Sequence, residues 1–265
     1  MNVVITGSTK GIGLGLAREF LRRGHDVMIS SRTAQAVDDV VAELRAAWPE
    51  RNVVGRVCDV SDYGQVQNLW DRTVEQLGSV DIWVNNAGVE TGADLFWRQD
   101  RNTIAATVNT NLIGLMYCNQ VAINGMYRQG GGKIFNMEGF GSSGMVRPGV
   151  SVYGTTKYGV KYLTKALAAE MRASPVKVCY LSPGIVITDL LVPPPEKRDQ
   201  NWERSKKVLN LLADTVETVT PFLVEGMLAV REGGEAVHWL TPRKVIGRKL
   251  ASYFKKRDVF TPLGY

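Results

Sequence analysis

Tyr153 and Lys157 stand four residues apart in the run Ser151-Val152-Tyr153-Gly154-Thr155-Thr156-Lys157, so they share one face if that segment is helical. The pairing has a chemical use. A phenol ordinarily loses its proton at about pH 10, and a neighbouring ammonium favours the phenolate, which makes tyrosine a workable proton donor and acceptor near neutrality. The spacing alone is common, and a tyrosine beside a lysine on a helix is usually surface decoration. Its company decides.

The first such companion is Thr6-Gly7-Ser8-Thr9-Lys10-Gly11-Ile12-Gly13, which follows an apolar run and precedes a helical pattern from Leu14 to Arg23. Glycines at 7, 11 and 13 permit a tight turn and let backbone N–H groups approach a pyrophosphate at a helix N-terminus. Such turns also serve plain strand-to-helix packing. The place of this one in the first βα unit favours the nucleotide. At the end of the second apolar run, Ile29-Ser30-Ser31-Arg32 offers no carboxylate for a ribose 2′-hydroxyl. Arg32 and Lys10 are instead suited to a 2′-phosphate, which favours NADP over NAD. Cys58-Asp59-Val60 closes the third run, and Asp59 is a candidate partner for the adenine amino group, with helix capping as its competing use.

The elements that must hold these residues alternate. Strand-like runs at Asn2–Ile5, Asp26–Ile29, Val53–Val57, Asp81–Val84, Gly132–Phe135 and Val176–Leu181 are separated by helical patterns near 12–23, 33–48, 63–77, 101–128 and 152–173. This order predicts an α/β fold, a mostly parallel sheet with helices on both faces. The rhythm stops after Leu191, where Pro193-Pro194-Pro195 opens a polar stretch read as a loop or lid over 192–207. Residues 1–240 read as one catalytic domain and 241–265 as a basic extension.

Composition sets the outer bounds. The chain has 265 residues, 45% of them hydrophobic and 22% charged, with a net charge of +6, as in an ordinary globular protein with a solvated surface. Three scattered cysteines and two distant histidines make neither a disulfide framework nor a metal site. The first apolar run starts at Val3, which leaves no room for a leader, and no apolar stretch is long enough to span a bilayer, so the expected location is cytoplasmic. The basic residues are not interleaved with any nucleic-acid-binding motif.

Taken in order, the Gly7/Gly11/Gly13 turn, Asp59, Asn85-Asn86-Ala87-Gly88, Asn111-Leu112-Ile113-Gly114, Tyr153 to Lys157 and Ser182-Pro183-Gly184-Ile185-Val186-Ile187-Thr188 resemble the short-chain dehydrogenase/reductases over nearly the whole chain. The resemblance implies a doubly wound Rossmann fold, NADPH/NADP+ as cofactor, and a homodimer or homotetramer. It implies that Tyr153 protonates a carbonyl oxygen, that Lys157 holds the nicotinamide ribose, and that Asn111 supports a water leading to Lys157. Asn86, Ala87 and Gly88, with Ser31 and Val60, would line the cofactor. Pro183, Gly184, Ile185, Val186 and Thr188 would cover the nicotinamide.

One departure stands out. The family usually carries a serine about a dozen residues before the tyrosine, whereas Asn136-Met137-Glu138-Gly139-Phe140-Gly141-Ser142-Ser143-Gly144 places Glu138-Gly139 there. Ser142 is the preferred substitute, with Ser143 as the alternative. Without either, Tyr153 alone would polarise the carbonyl.

That loop, the Leu181 to Leu191 run and the Leu240-Thr241-Pro242-Arg243-Lys244 stretch resemble the chlorophyll(ide) b reductases, which implies reduction of the pigment's 7-formyl group to 7-hydroxymethyl. The alternatives are a reductase of another aldehyde or ketone, such as a steroid, sugar or acyl compound, and a non-catalytic NADP-binding regulator. In the tail, Arg243, Lys244, Arg248, Lys249, Lys255, Lys256 and Arg257 surround Val245, Ile246, Leu250, Tyr253 and Phe254. Two readings stand for this pattern: an interfacial helix making peripheral contact with a membrane, or a helix packed on the domain with its charges solvated.

Overall fold

Val3, Val4 and Ile5, successive residues of the first strand, are all fully buried, which requires cover on both sides. The structure, a computed structural model, describes residues 1–90, 94–193, 195, 198, 200–254 and 256–264. Seven strands form one parallel sheet: β1 (Asn2–Thr6), β2 (Asp26–Ser31), β3 (Val53–Val57), β4 (Ile82–Asn85), β5 (Gly132–Met137), β6 (Val176–Ser182) and β9 (Ala236–His238), in the order β3-β2-β1-β4-β5-β6-β9. Val3 and Ile5 face one side, against α1 (Gly11–Arg22), α2 (Ala34–Ala47) and α8 (Val216–Ala229). Val4 faces the other, with Met28, Trp83 and Ile134, against α3 (Tyr63–Leu77) and α5 (Gly114–Gln129). This is the period-2 alternation of a strand sandwiched between two helical layers.

The strand order reverses direction between β1 and β4, and in such sheets ligands bind in the crevice at the carboxyl ends beside that switch. The expected helix near 101–128 is α4 (Arg101–Val108), one π-helical turn (Asn109–Ile113) and α5. The π-turn contains Asn111, and π-bulges frequently mark functional positions. α6 (Ser151–Glu170) follows β5.

The segment after Leu191 differs from its expectation. A helix, α7 (Gln200–Leu212), begins inside the stretch read as a loop to 207, because the three prolines end before it and the chain from Gln200 has no further breaker. Pro194, Glu196, Lys197 and Asp199 lie outside the described residues. A short ribbon of β7 (Ile185–Val186) and β8 (Ala213–Asp214) brackets this excursion. Val192 and Trp202 join Ile187, Ala213 and Phe260 in a small third core.

The last helix, α9 (Pro242–Ala251), starts on a Thr241 cap whose hydroxyl accepts from Lys244 N–H. Its charges are not all solvated. Arg248 donates to both carboxylate oxygens of the buried Asp214, at 2.7 and 2.9 Å, and Arg257 donates to the same carboxylate. These two arginines fasten the tail to β8, leaving Ile246, Leu250, Tyr253 and Phe254 exposed.

Candidate active site

Gly7 and Gly11 take φ of +63° and +55°, in the left-handed region that favours glycine. A Cβ on Gly7 would lie 2.9 Å from the Ala87 backbone, so only glycine lets the turn after β1 approach the end of β4. Asn86 locks that approach: its amide donates to the Thr6 and Gly7 carbonyls at 2.9 and 3.0 Å. No side chain caps α1, which leaves the N–H groups of its first turn pointing at the crevice.

The crevice is a groove of about 760 Å³. Gly7, Thr9, Lys10, Gly11 and Ile12 from the turn line it, with Ser31 and Arg32 from the end of β2, then Val60, then Asn86, Ala87 and Gly88, and Thr188 from beyond β7. Arg32 is exposed at the rim. Lys10 reaches across to Asp189 at 3.2 Å, an exposed pair that a competing anion can displace at little cost. These features fit a dinucleotide with a 2′-phosphate: a glycine cradle, an uncapped helix N-terminus, and basic side chains with no carboxylate at the end of β2.

Other expected residues serve as frame. Ser8 is buried, donating to the Ile5 carbonyl and accepting from Ser30 N–H, which ties β1 to β2. A Cβ on Gly13 would lie 2.4 Å from the Gly7 carbonyl oxygen. One carboxylate oxygen of Asp59 accepts from the N–H and hydroxyl of Ser61 at 2.9 and 2.7 Å, a local turn contact after β3. Ile185 and Val186 form β7, and Gly184, with φ of +72°, packs against Leu240 just after Pro183.

Tyr153 and Lys157 are buried on α6 behind the groove's far end, where a Cβ on Gly88 would lie 3.8 Å from Lys157 Nζ. The ammonium stands 5.7 Å from the Tyr153 ring centroid and donates to the Met137 carbonyl at 3.1 Å. Beneath them, Asn136 on β5 exchanges hydrogen bonds with Asn119 on α5, accepts from Asn85 on β4 and donates to Thr164 on α6. This buried polar network ties α6 to β5, and through it to β4 and α5. Asn111 donates to the Val89 carbonyl and to Thr156 Oγ1, and accepts from Val89 N–H. The π-turn thus clamps the loop after β4 to α6.

Burial sets the electrostatics. It pushes Lys157 down to about 8, an effect opposed by Glu138. It pushes the Tyr153 phenol above its ordinary value, with Glu90 adding to the rise. The expected lowering of the tyrosine is therefore absent, and the desolvated site holds the neutral phenol, the form that can donate a proton. Glu90, itself raised by burial against the pull of Arg147, lines the groove and went unnoticed in the sequence, where nothing in Gly88-Val89-Glu90 marks it.

Ser142 does not take the missing serine's role in this arrangement. Its hydroxyl donates to the Lys157 carbonyl and accepts from Gly139 N–H, both at 3.1 Å, so its single proton is spent on the backbone of α6. Ser143 is exposed. A Cβ on Gly139 would lie 2.5 Å from Tyr153 Oη, so the phenol occupies space that a side chain at 139 would need.

A family model described as short chain dehydrogenase matches residues 1–199. The chain belongs to this family. Among curated relatives of this short-chain dehydrogenase, a probable chloroplastic chlorophyll(ide) b reductase of Oryza sativa subsp. japonica is 39% identical over 99% of the chain and 54% of its own length. A chloroplastic chlorophyll(ide) b reductase of Arabidopsis thaliana is 41% identical over 88% of the chain and 67% of its own length. A 3α-hydroxysteroid dehydrogenase of Mediterraneibacter gnavus is 31% identical over 73% of the chain and 76% of its own length. The chain thus spans about half the length of the first of these. Among solved structures, a variant of actinorhodin polyketide ketoreductase with NADPH superposes with a TM-score of 0.77 at 26% identity, covering 89% of this chain and 94% of that one.

Proposed function

We propose that this short-chain dehydrogenase reduces a carbonyl group to an alcohol with NADPH. The observation that carries the reading is the junction of the glycine-cradled groove with the buried Tyr153–Lys157 pair. Bound in the groove, NADPH supplies the hydride. Tyr153 gives its proton to the carbonyl oxygen, and the Lys157 ammonium stabilises the phenolate that remains. Arg32 and Lys10 hold the 2′-phosphate, and Pro183, Gly184 and Thr188 close over the nicotinamide. Asn111 positions the loop bearing Val89 and Glu90.

The substrate we infer is the 7-formyl group of chlorophyll(ide) b. Two relatives carrying that activity in their names support it, as does the apolar character of the loops that leave the carboxyl ends of β4, β5 and β6. There Phe96, Trp97, Met145, Val146 and Leu190 are exposed, a rim suited to a large flat lipophile. The steroid-dehydrogenase relative supports a second reading, a steroid carbonyl at the same site. NADPH oxidation measured with chlorophyllide b, a 3-ketosteroid and a simple aromatic aldehyde separates them. Preference for chlorophyllide b with a 7-hydroxymethyl product is expected, and turnover of the steroid alone would overturn the pigment reading.

Such a substrate places the protein at a membrane surface, and α9 supplies the contact. Ile246, Leu250, Tyr253 and Phe254 fall at helical spacing and are exposed, flanked by exposed Arg243, Lys249 and Lys256. Lys255 lies outside the described residues. No described helix is long and apolar enough to cross a membrane. The working assembly is a homodimer or homotetramer.

A further inference from the structure

Lys157 lies against the chain immediately before and after Glu138. Lys157 donates to the carbonyl of Met137 at 3.1 Å, and a Cβ on Gly139 would stand 3.1 Å from Lys157 Cε. The Glu138 side chain is 6% exposed, and its Oε1 has no hydrogen-bond partner among the described residues. Oε2 lies 3.9 Å from His238 Nδ1, beyond hydrogen-bonding distance. A carboxylate buried this way is costly unless a charge compensates it.

The titratable groups that face Glu138 are Lys157 on α6, Tyr180 on β6 and His238 on β9. His238 is half exposed, so water screens it, whereas Lys157 is buried, where charges act on each other more strongly. We propose that Glu138 is a positioning residue, the counter-charge that keeps the ammonium of Lys157 ionised beside Tyr153. The proposal rests on the reading of Tyr153 and Lys157 as the working pair.

The departure from a serine pair then has a division of labour. Gly139 makes room for the Tyr153 hydroxyl, and Glu138 supplies the field. Burial alone drives Lys157 toward its neutral form, and Glu138 opposes that drive. Without the carboxylate, the lysine would lose its proton at lower pH, and the phenolate left after proton transfer would lose its cation.

The test is the titration of Lys157 followed by ¹⁵N NMR in cofactor-free protein, its signal assigned by loss in Lys157→Arg. Glu138→Gln is expected to lower the midpoint by about one pH unit, and the alkaline limb of kcat/KM should move with it. Glu138→Asp, which restores the charge, should return most of the shift. A Glu138→Gln midpoint equal to that of the wild type would overturn the proposal, as would a pH-independent loss of activity with the limb unmoved. Should Glu138→Gln fail to fold, Glu138→Ser is the second variant: the Lys157 midpoint should fall as it is expected to in Glu138→Gln, and a midpoint equal to that of the wild type would overturn the proposal. Activity surviving in Tyr153→Phe would instead overturn the catalytic reading, while the Lys157 titration still decides the role of Glu138.

Discussion

Lys157 sets stability against function at a single residue. Its folded-state pKa of about 8 lies below its ordinary value because burial penalises the ammonium. Above about pH 8 the folded protein therefore binds fewer protons than the unfolded chain, so the penalty is present in full below that pH and fades as pH rises through it. Lys157→Met should abolish turnover and remove this titration, so the stability of the variant relative to the wild type should fall between pH 7 and pH 10, whatever the loss of the Met137 hydrogen bond and of the cation beside Glu138 costs it at both pH values. Thermal melts at pH 7 and pH 10 check this: a difference between variant and wild type that does not change with pH would contradict it. Ser142 has the opposite profile, since its hydroxyl serves only the backbone. Ser142→Ala should cost about 1 kcal/mol of stability and change kcat by less than about tenfold, the size of effect that separates it from a general acid. A large drop in kcat with an unchanged melt would restore it to the site. The Tyr153–Lys157 pair was readable in the sequence because four-residue spacing on a helix fixes a shared face. Ser142, Glu138 and Glu90 were not readable in their roles, because side-chain direction in a glycine-rich loop or after a strand end depends on what packs against it.

Among the elements, the strands of the central sheet from β1 to β6 were legible because each carries an apolar run between helical patterns, even at the edge, where β3 is buried only at Val53. β9 has only three residues, two of them exposed, and offers no such run. α8 carries Pro221 inside a nearly continuous apolar stretch, which masks its period, and α7 begins only after the proline cluster. The tail divides its basic residues in a way that composition does not show: Arg248 and Arg257 turn inward to Asp214, while the apolar side chains of α9 turn out. An outward face of this kind, fastened from behind, suits an interface with anionic lipid. Ile246→Ser/Leu250→Ser/Phe254→Ser should therefore lower co-sedimentation with phosphatidylserine-containing vesicles several-fold while leaving the fold intact. Equal recovery of variant and wild type would sink the membrane contact.

For the whole molecule, the strand order puts the cofactor groove at the β1/β4 switch and brings α6 to its far end, so the groove and the Tyr153–Lys157 pair meet at Gly88 and Glu90. That meeting was implied by the order of the motifs, yet spacing along the chain could not show that Tyr153 would be buried. The groove and the buried pair belong to one reaction only if loss of the phenol leaves cofactor binding untouched. The deciding measurement is the reduction of chlorophyllide b, or of the panel carbonyl turned over fastest, by wild type and Tyr153→Phe under saturating NADPH, with NADPH affinity measured by fluorescence in both. Carbonyl reduction through Tyr153 predicts a fall in kcat of about 10²–10⁴-fold with NADPH affinity unchanged within a few-fold. A Tyr153→Phe enzyme that turns over at the wild-type rate would contradict it.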